Sequence, residues 1–465
     1  MSRLAAFTIC LSISFLILSP SPGQSLTHQD ERELGREFFI ILKEKLTIIN
    51  NPDINAYING LGQKILKTAG PQPFTYKFFV VHNETINAFA VPAGYVFVNS
   101  GLVTSFDSEG QLAATLAHEI AHVTKRHVAR RISQSQKLTL ATMGGILAGI
   151  FIGGPVGQAV TIGTMAGSVQ TQLKYSREDE TESDQKGLEY LVKAGYDPRF
   201  LAESLNILLR TKYSGPADTP TYLQTHPGLL DRISSVETMV AARPEYTAVK
   251  GRGDDQAFVS FKTKIMARYA NDLQAYNYFQ DLLKKDPKTA LGHYGLALLY
   301  EKQQKIEMAA RQFEMASDKE PDNAELLSDY GALLFRKGNY PEALKYLNPA
   351  FILKPRSIRT IFFLSRIFQE QGRLQQSRDF FERLLAENPE HEPGLYNLGL
   401  VYGRLDNLAR ARLNTGLYFK VTGRRSQAIF HLEKARGYAV ENEPGLVERI
   451  DKILAKMKKG PKNRQ

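Results

Sequence analysis

The chain has 465 residues, too many for one ordinary hydrophobic core, so two or three domains are expected. With 43% hydrophobic and 23% charged residues, the composition is that of a globular protein and excludes a disordered or fibrous chain. The formal charge is +11, but Lys and Arg are spread along the sequence rather than gathered in one arm, which argues against nucleic acid as a partner.

Arg3 precedes an apolar run over residues 4–18, which Pro20, Pro22 and Gly23 break before the small residue Ser25. This pattern predicts a secretory signal peptide over 1–25, since the run is too short to span a bilayer comfortably. The expected location is outside the cytoplasm. Cys10, the single cysteine, leaves with the signal, so the mature chain is expected to hold no disulfide.

Residues 30–70 carry apolar residues at three- and four-residue spacing up to Gly70-Pro71, which predicts helices. Residues 74–102 change to a β-rich pattern, "FTYKFFVV" and then "AGYVFVNSGLV". Pro92, at the start of the strand 94–100, suggests a sheet edge, to which an extended polypeptide could pair.

The next stretch, "LAATLAHEIAHVTKRHVARR" (112–131), sets two histidines either side of a glutamate. On a helix, His118 and His122 lie four apart and aim two imidazoles at one point, as a Zn²⁺ site requires. Glu119 stands about 100° further round, where it can act as general base without being a ligand. A third ligand is needed. Val128 occupies the place of a metzincin histidine, and on a continuing helix His127 lies roughly 140° from His122. Downstream, Glu180 and Asp184 are again four apart. Read alone they suit either a metal site, with Asp184 holding a ligand imidazole, or an acidic helix start facing water.

Between the histidines and Glu180, residues 138–173 carry no charge. One membrane span there would separate His122 from Glu180. The break at Gly153-Gly154-Pro155 allows two short helices, read as a lid over the cleft or as a peripheral membrane contact. His226, before Pro227, reads as a loop imidazole that stabilises an oxyanion, fills a vacant fourth metal position, or caps the next helix. Arg232 is assigned to the same pocket. GRGD at 251–254 lies in a Gly-rich linker, and chance accounts for it.

Beyond the linker the sequence repeats every 34 residues: Pro287, Pro321, Pro355 and Pro389; Ala275, Ala309, Ala343 and Ser377; Phe279, Phe313, Leu347 and Phe381. Ala297, Gly331, Ser365 and Gly399 form a further column. This is the tetratricopeptide signature, in which stacked helix pairs bury what one pair cannot.

Taken together, "INAFAVPAGYVFVNSGLV", "LAATLAHEIAHV", "YSREDETESD" and "THPGLLDRI" resemble the HtpX-like and CAAX-prenyl-protease-like zinc metallopeptidase family over about residues 30–235. The resemblance implies His118, His122 and Glu180 as metal ligands, Glu119 as catalytic base and Asp184 in support. Ser183 departs from the alanine usual before that aspartate. With a signal in front and repeats behind, the chain looks like the periplasmic BepA-like branch of that family, which combines protease and chaperone-like roles in outer-membrane protein assembly. The fold expected is mostly α: a zincin-type α+β peptidase domain with a small β-sheet (26–245), a linker (246–255), an α-solenoid of repeats (256–440) and a basic tail (441–465). The function expected is an exported zinc endopeptidase acting on unfolded or extended polypeptides, with the repeats engaging envelope or outer-membrane assembly proteins. The alternative is a chaperone or adaptor with latent or vestigial protease activity.

Overall fold

The computed structural model describes residues 26–134, 175–214, 222, 225–440 and 443–458. The expected signal peptide and the uncharged stretch 138–173 lie outside the described residues. Among the described residues no helix is long and apolar enough to cross a membrane.

The chain divides into two compact units, and the division at Gly253 and Asp254 falls inside the expected linker. Two short segments, 49–57 and 103–108, group with the second unit, which nothing in the sequence signals.

The first unit opens with α1 (His28–Lys45), started by a capping box between Thr27 and Asp30. Helix α2 (Pro52–Leu66) leads to a three-stranded sheet of β1 (Lys77–Val81), β2 (Ala88–Val91) and β3 (Tyr95–Asn99). The order is β1-β3-β2, with β1 parallel and β2 antiparallel to β3. The strand expected at the edge is therefore the central one. Pro92-Ala93-Gly94 is a tight turn in which Ala93 and Gly94 both take positive φ (63° and 86°), so the chain reverses and lays β2 along the free side of β3. Pro92 marks that turn, and the edge strands are β1 and β2. Phe89, Val91 and Phe97 pack with Leu34, Phe38 and Leu42 of α1, while α4 (Glu109–Thr124) lies against β2. Helices α3 (Ser100–Ser105), whose last three residues group with the second unit, α5 (His127–Gln134), α6 (Arg177–Lys193), α7 (Arg199–Ser214), α8 (Leu229–Ala241) and α9 (Pro244–Thr247) follow.

The second unit is helical. Helices α10 (Asp255–Tyr269) and α11 (Asp272–Lys285) are followed by the pairs α12 (Ala290–Lys302) and α13 (Ile306–Ser317), α14 (Ala324–Arg336) and α15 (Tyr340–Leu353), α16 (Ile358–Glu370) and α17 (Leu374–Glu387), α18 (Glu392–Arg404) and α19 (Leu408–Val421). The repeat columns are its core: Ala275, Ala309, Ala343 and Ser377, with Phe279, Phe313, Leu347 and Phe381, are all fully buried. After α20 (Arg425–Ala439) comes α21 (Pro444–Lys458), within the segment expected to be a basic tail. There Ile450 and Leu454 are buried against Leu413, Leu432 and Ala435. The lysines of this segment mask an apolar stripe at helical spacing, and that stripe decides its structure.

A buried charge cluster ties the inner helices together. Asp329 accepts from the Tyr294 hydroxyl at 2.6 Å and pairs with Arg359 at 2.5 Å and Arg268 at 3.8 Å. Burial alone would raise its pKa, but Arg359, Arg268 and Lys264 outweigh that and bring it down to about 2. A carboxyl depressed in the folded state gives stability above its ordinary range that is lost as pH falls through the folded value. The repeat unit is therefore expected to lose about 2 kcal/mol between pH of about 5 and 2 from this group, read by urea unfolding. Asp329→Asn should be less stable at neutral pH and lack that increment.

Candidate metal centre

Helix α4 is rich in Ala and Leu, and every residue from Glu109 to Val123 is buried. A helix apolar all round belongs inside, so its His118, Glu119 and His122 must find partners there. α6 supplies them. Its first turn is fixed by a capping box, Ser176 Oγ accepting from Asp179 N at 3.1 Å and Asp179 Oδ2 from Ser176 N at 3.2 Å. That start puts Glu180 and Asp184 on the buried face. The two helices meet closely at Gly187, where a Cβ would come to 3.2 Å from His118 N and 3.3 Å from His118 Cα.

One ligand atom from each of His118, His122, Glu180 and His226 lies within 4.8 Å of all the others. His118 Nε2 and His122 Nε2 are 3.0 Å apart, and Glu180 stands 3.6 Å from the first and 3.4 Å from the second. Tetrahedral zinc with bonds of about 2.05 Å sets its ligand atoms about 3.3 Å apart. His118 Nδ1 donates to Asp184 Oδ1 at 2.9 Å, which turns Nε2 toward the cluster. His226 Nδ1 donates to Glu180 Oε1 at 2.9 Å, and its Nε2 stands 3.7 Å from Glu119. His226 does not cap α8, whose N-cap is Gly228 with no side-chain cap bond. Arg232 donates from Nε and Nη2 to Asp184, both at 2.7 Å, and pairs through Nη1 with Glu180. It reaches the cluster by way of the carboxylates it holds.

The charges identify what this pocket lacks. Glu119, Glu180 and Asp184 face a single guanidinium in a dry interior, leaving two negative charges uncompensated. Burial pushes the Glu119 carboxyl up to about 8. Burial disfavours a charge on His118 too, but Asp184 and Glu180 outweigh it and push the imidazole up to about 9. Both shifts draw in a proton, and one divalent cation supplies the same charge. Glu180 stays ionised despite burial, held well below the usual carboxylate range by Arg232 and His226. Burial keeps His122 neutral. His226 Nε2 is buried without a hydrogen-bond partner, and neither Glu119 oxygen is hydrogen-bonded by a side chain, among the described residues. Three imidazoles and a carboxylate, with an orphaned ring nitrogen among them, fit a metal ion.

Three further residues touch the cluster beyond those the sequence assigns to it. The Tyr175 ring stacks on His122 with centroids 3.8 Å apart, and the Tyr222 ring on His226 at 4.2 Å. His127 reaches His122 from behind at 2.9 Å. Nothing in the sequence marks the tyrosines. The placing of His127 depends on a helix break at Arg126, where φ is 56°.

Residues 52–240 match peptidase family M48, and residues 294–355 match a tetratricopeptide repeat. The chain is 27% identical over 427 residues to the "Beta-barrel assembly-enhancing protease" of Escherichia coli (strain K12), covering 90% of this chain and 86% of that protein. It is 32% identical over 308 residues to a Vibrio cholerae protein provisionally given the same name, covering 65% of this chain and 63% of that one. It is also 32% identical over 160 residues to the "Mitochondrial metalloendopeptidase OMA1" of Arabidopsis thaliana, covering 34% of this chain and 30% of that protein.

The purified chain is expected to carry about one equivalent of a divalent metal by elemental analysis. His118→Ala should reduce this to near none. Metal retained at the wild-type level would show that the ion sits elsewhere.

Proposed function

We propose that this chain, in which a domain of peptidase family M48 is followed by tetratricopeptide repeats, is an exported zinc endopeptidase acting on extended or unfolded polypeptide. The observation that carries the reading is the convergence of His118, His122, Glu180 and His226 beside a buried Glu119 that no side chain hydrogen-bonds. Three nitrogens and one carboxylate oxygen suit zinc. The names of the Escherichia coli and Vibrio cholerae relatives support a place in assembly or quality control of outer-membrane or envelope proteins. The repeat unit then binds protein partners, since stacked helix pairs form extended surfaces of that kind.

His118, His122 and Glu180 would hold the ion, with Asp184 fixing the His118 ring and Arg232 fixing both carboxylates. When bound, the ion polarises the scissile carbonyl and acidifies the attacking water. A cation beside Glu119 favours its ionised form, which burial alone disfavours. The Glu119 carboxylate takes the proton of the attacking water and delivers it to the leaving amine. The substrate backbone pairs with the edge strand β2, whose Ala90 lies close to Glu119. Edge pairing reads backbone rather than side chains, which supports broad sequence tolerance.

A specific observation favours a resting state. His226 shares the donor cluster, and its ring is clamped by Tyr222 and Glu180. We assign it to the fourth metal position, which it must leave for substrate to enter. This also gives the reading of a chaperone or adaptor with latent protease activity a physical basis.

Glu119→Gln is expected to keep its zinc and lose turnover of an unfolded substrate by about 10²–10⁴-fold, measured by peptide release. Wild-type-like cleavage by that variant would reject the base assignment, and full complementation in cells would favour the adaptor reading. His226→Ala should raise turnover several-fold. A fall of about 10²-fold would move His226 to stabilising the oxyanion instead.

A further inference from the structure

The side of His122 that faces away from the cluster is occupied. Its Nδ1 lies 2.9 Å from Nδ1 of His127, and the two rings meet edge to face with centroids 5.0 Å apart. His127 Nε2 lies 2.9 Å from Glu182 Oε2 on α6. His127 is fully buried, whereas Glu182 is about a third exposed and also meets Lys125 at 2.8 Å and Arg130 at 3.2 Å. The arrangement exists because α4 stops at Thr124 and α5 starts at His127. Arg126 between them takes φ 56° and is anchored by its Nε to Glu31 at 2.8 Å. A continuous helix would carry His127 roughly 140° away.

The carboxylate at one end and the proposed metal-binding nitrogen at the other set the hydrogen-bond directions. Glu182 faces the cations Lys125 and Arg130, so it is a carboxylate and can only accept. His127 must therefore donate through Nε2–H. With His122 Nε2 offering its lone pair to the ion, the His122 ring carries its proton on Nδ1, and the nitrogen facing that proton at 2.9 Å is His127 Nδ1, which accepts. Ser183 Oγ, at 3.2 Å, also donates toward His127 Nδ1. Ser183 is the residue that departs from the alanine usual in the related family.

We infer that His127 is a positioning residue for the metal: backed by Glu182, it accepts the Nδ1 proton of His122 and so fixes the tautomer and ring angle in which His122 Nε2 binds the ion. The site then has two parallel supports. Asp184 orients His118 directly, and Glu182 orients His122 through an intervening imidazole. Outer partners of this type change metal affinity by about 10–100-fold.

The inference rests on the proposed role of His122 as a ligand, and its test separates the two. Zinc affinity of the full chain is measured by competition with a chromophoric chelator, with the thermal midpoint of each metal-free variant as a control. His127→Leu is expected to bind zinc about 10–100-fold more weakly. His127→Asn, whose Oδ1 takes the place of Nδ1 as acceptor, should stay within about threefold of wild type. Wild-type affinity in His127→Leu, or a loss in His127→Asn as large as in His127→Leu, overturns the inference. A wild-type chain that binds no zinc overturns the functional reading as well. Should His127→Leu not fold, ¹⁵N spectra of the zinc-loaded, histidine-labelled wild type decide the question, with His127→Asn assigning the resonance. A bare Nδ1 on His127 is expected, and a protonated Nδ1 overturns the inference.

Discussion

The approach of α4 to α6 across Gly187 is the constraint on which the centre depends. With no side chain at 187, the α6 backbone comes against His118 itself. Each helix then offers two groups one turn apart: His118 and His122 from α4, Glu180 and Asp184 from α6. A Cβ at 187 would stand 3.2 Å from His118 N, so the two helices would have to part slightly and loosen the contacts of 2.9–3.6 Å on which the cluster is built. The capping box at Ser176 fixes where α6 begins, and so which of its many acidic residues turn inward.

Such a cluster costs stability unless it is neutralised. Three carboxylates in a dry interior with one guanidinium would oppose folding, and Arg232 answers only part of the charge. A divalent cation that completes the balance binds the folded chain alone, so binding and folding reinforce one another. The aromatic rings of Tyr175 and Tyr222 stack on His122 and His226 and shield those faces from water, which strengthens the interactions there. The edge strand β2 runs alongside, so proposed chemistry and proposed substrate pairing share one wall of the pocket.

Much of this was legible in the sequence because the signals are local or periodic. The paired histidines follow the helix period, the 34-residue columns follow the repeat, and both survive without knowledge of distant contacts. Glu180 and Asp184 sit at the other limit. Their own neighbourhood is an acidic helix start, and only the family resemblance set them apart from Glu178, Asp179 and Glu182. Pro92 suggests a sheet edge because it lacks an N–H, but it belongs to a turn, and that turn lays β2 along the strand that follows. The final helix was hidden because its lysines outnumber its buried residues.

The sequence by itself determined which residue types could serve a metal, where the helices carrying them run, and that a stacked array follows. These are properties of period and composition, carried within a few turns of chain. The tertiary structure decided which carboxylates face inward, which strands form the edges, and that His127 turns back on His122. Each of these depends on a reversal of the chain at one or two positive-φ residues, or on two helices more than fifty residues apart meeting at one glycine. Neither leaves a periodic trace, because the energy that selects it comes from contacts that exist only after the chain has folded.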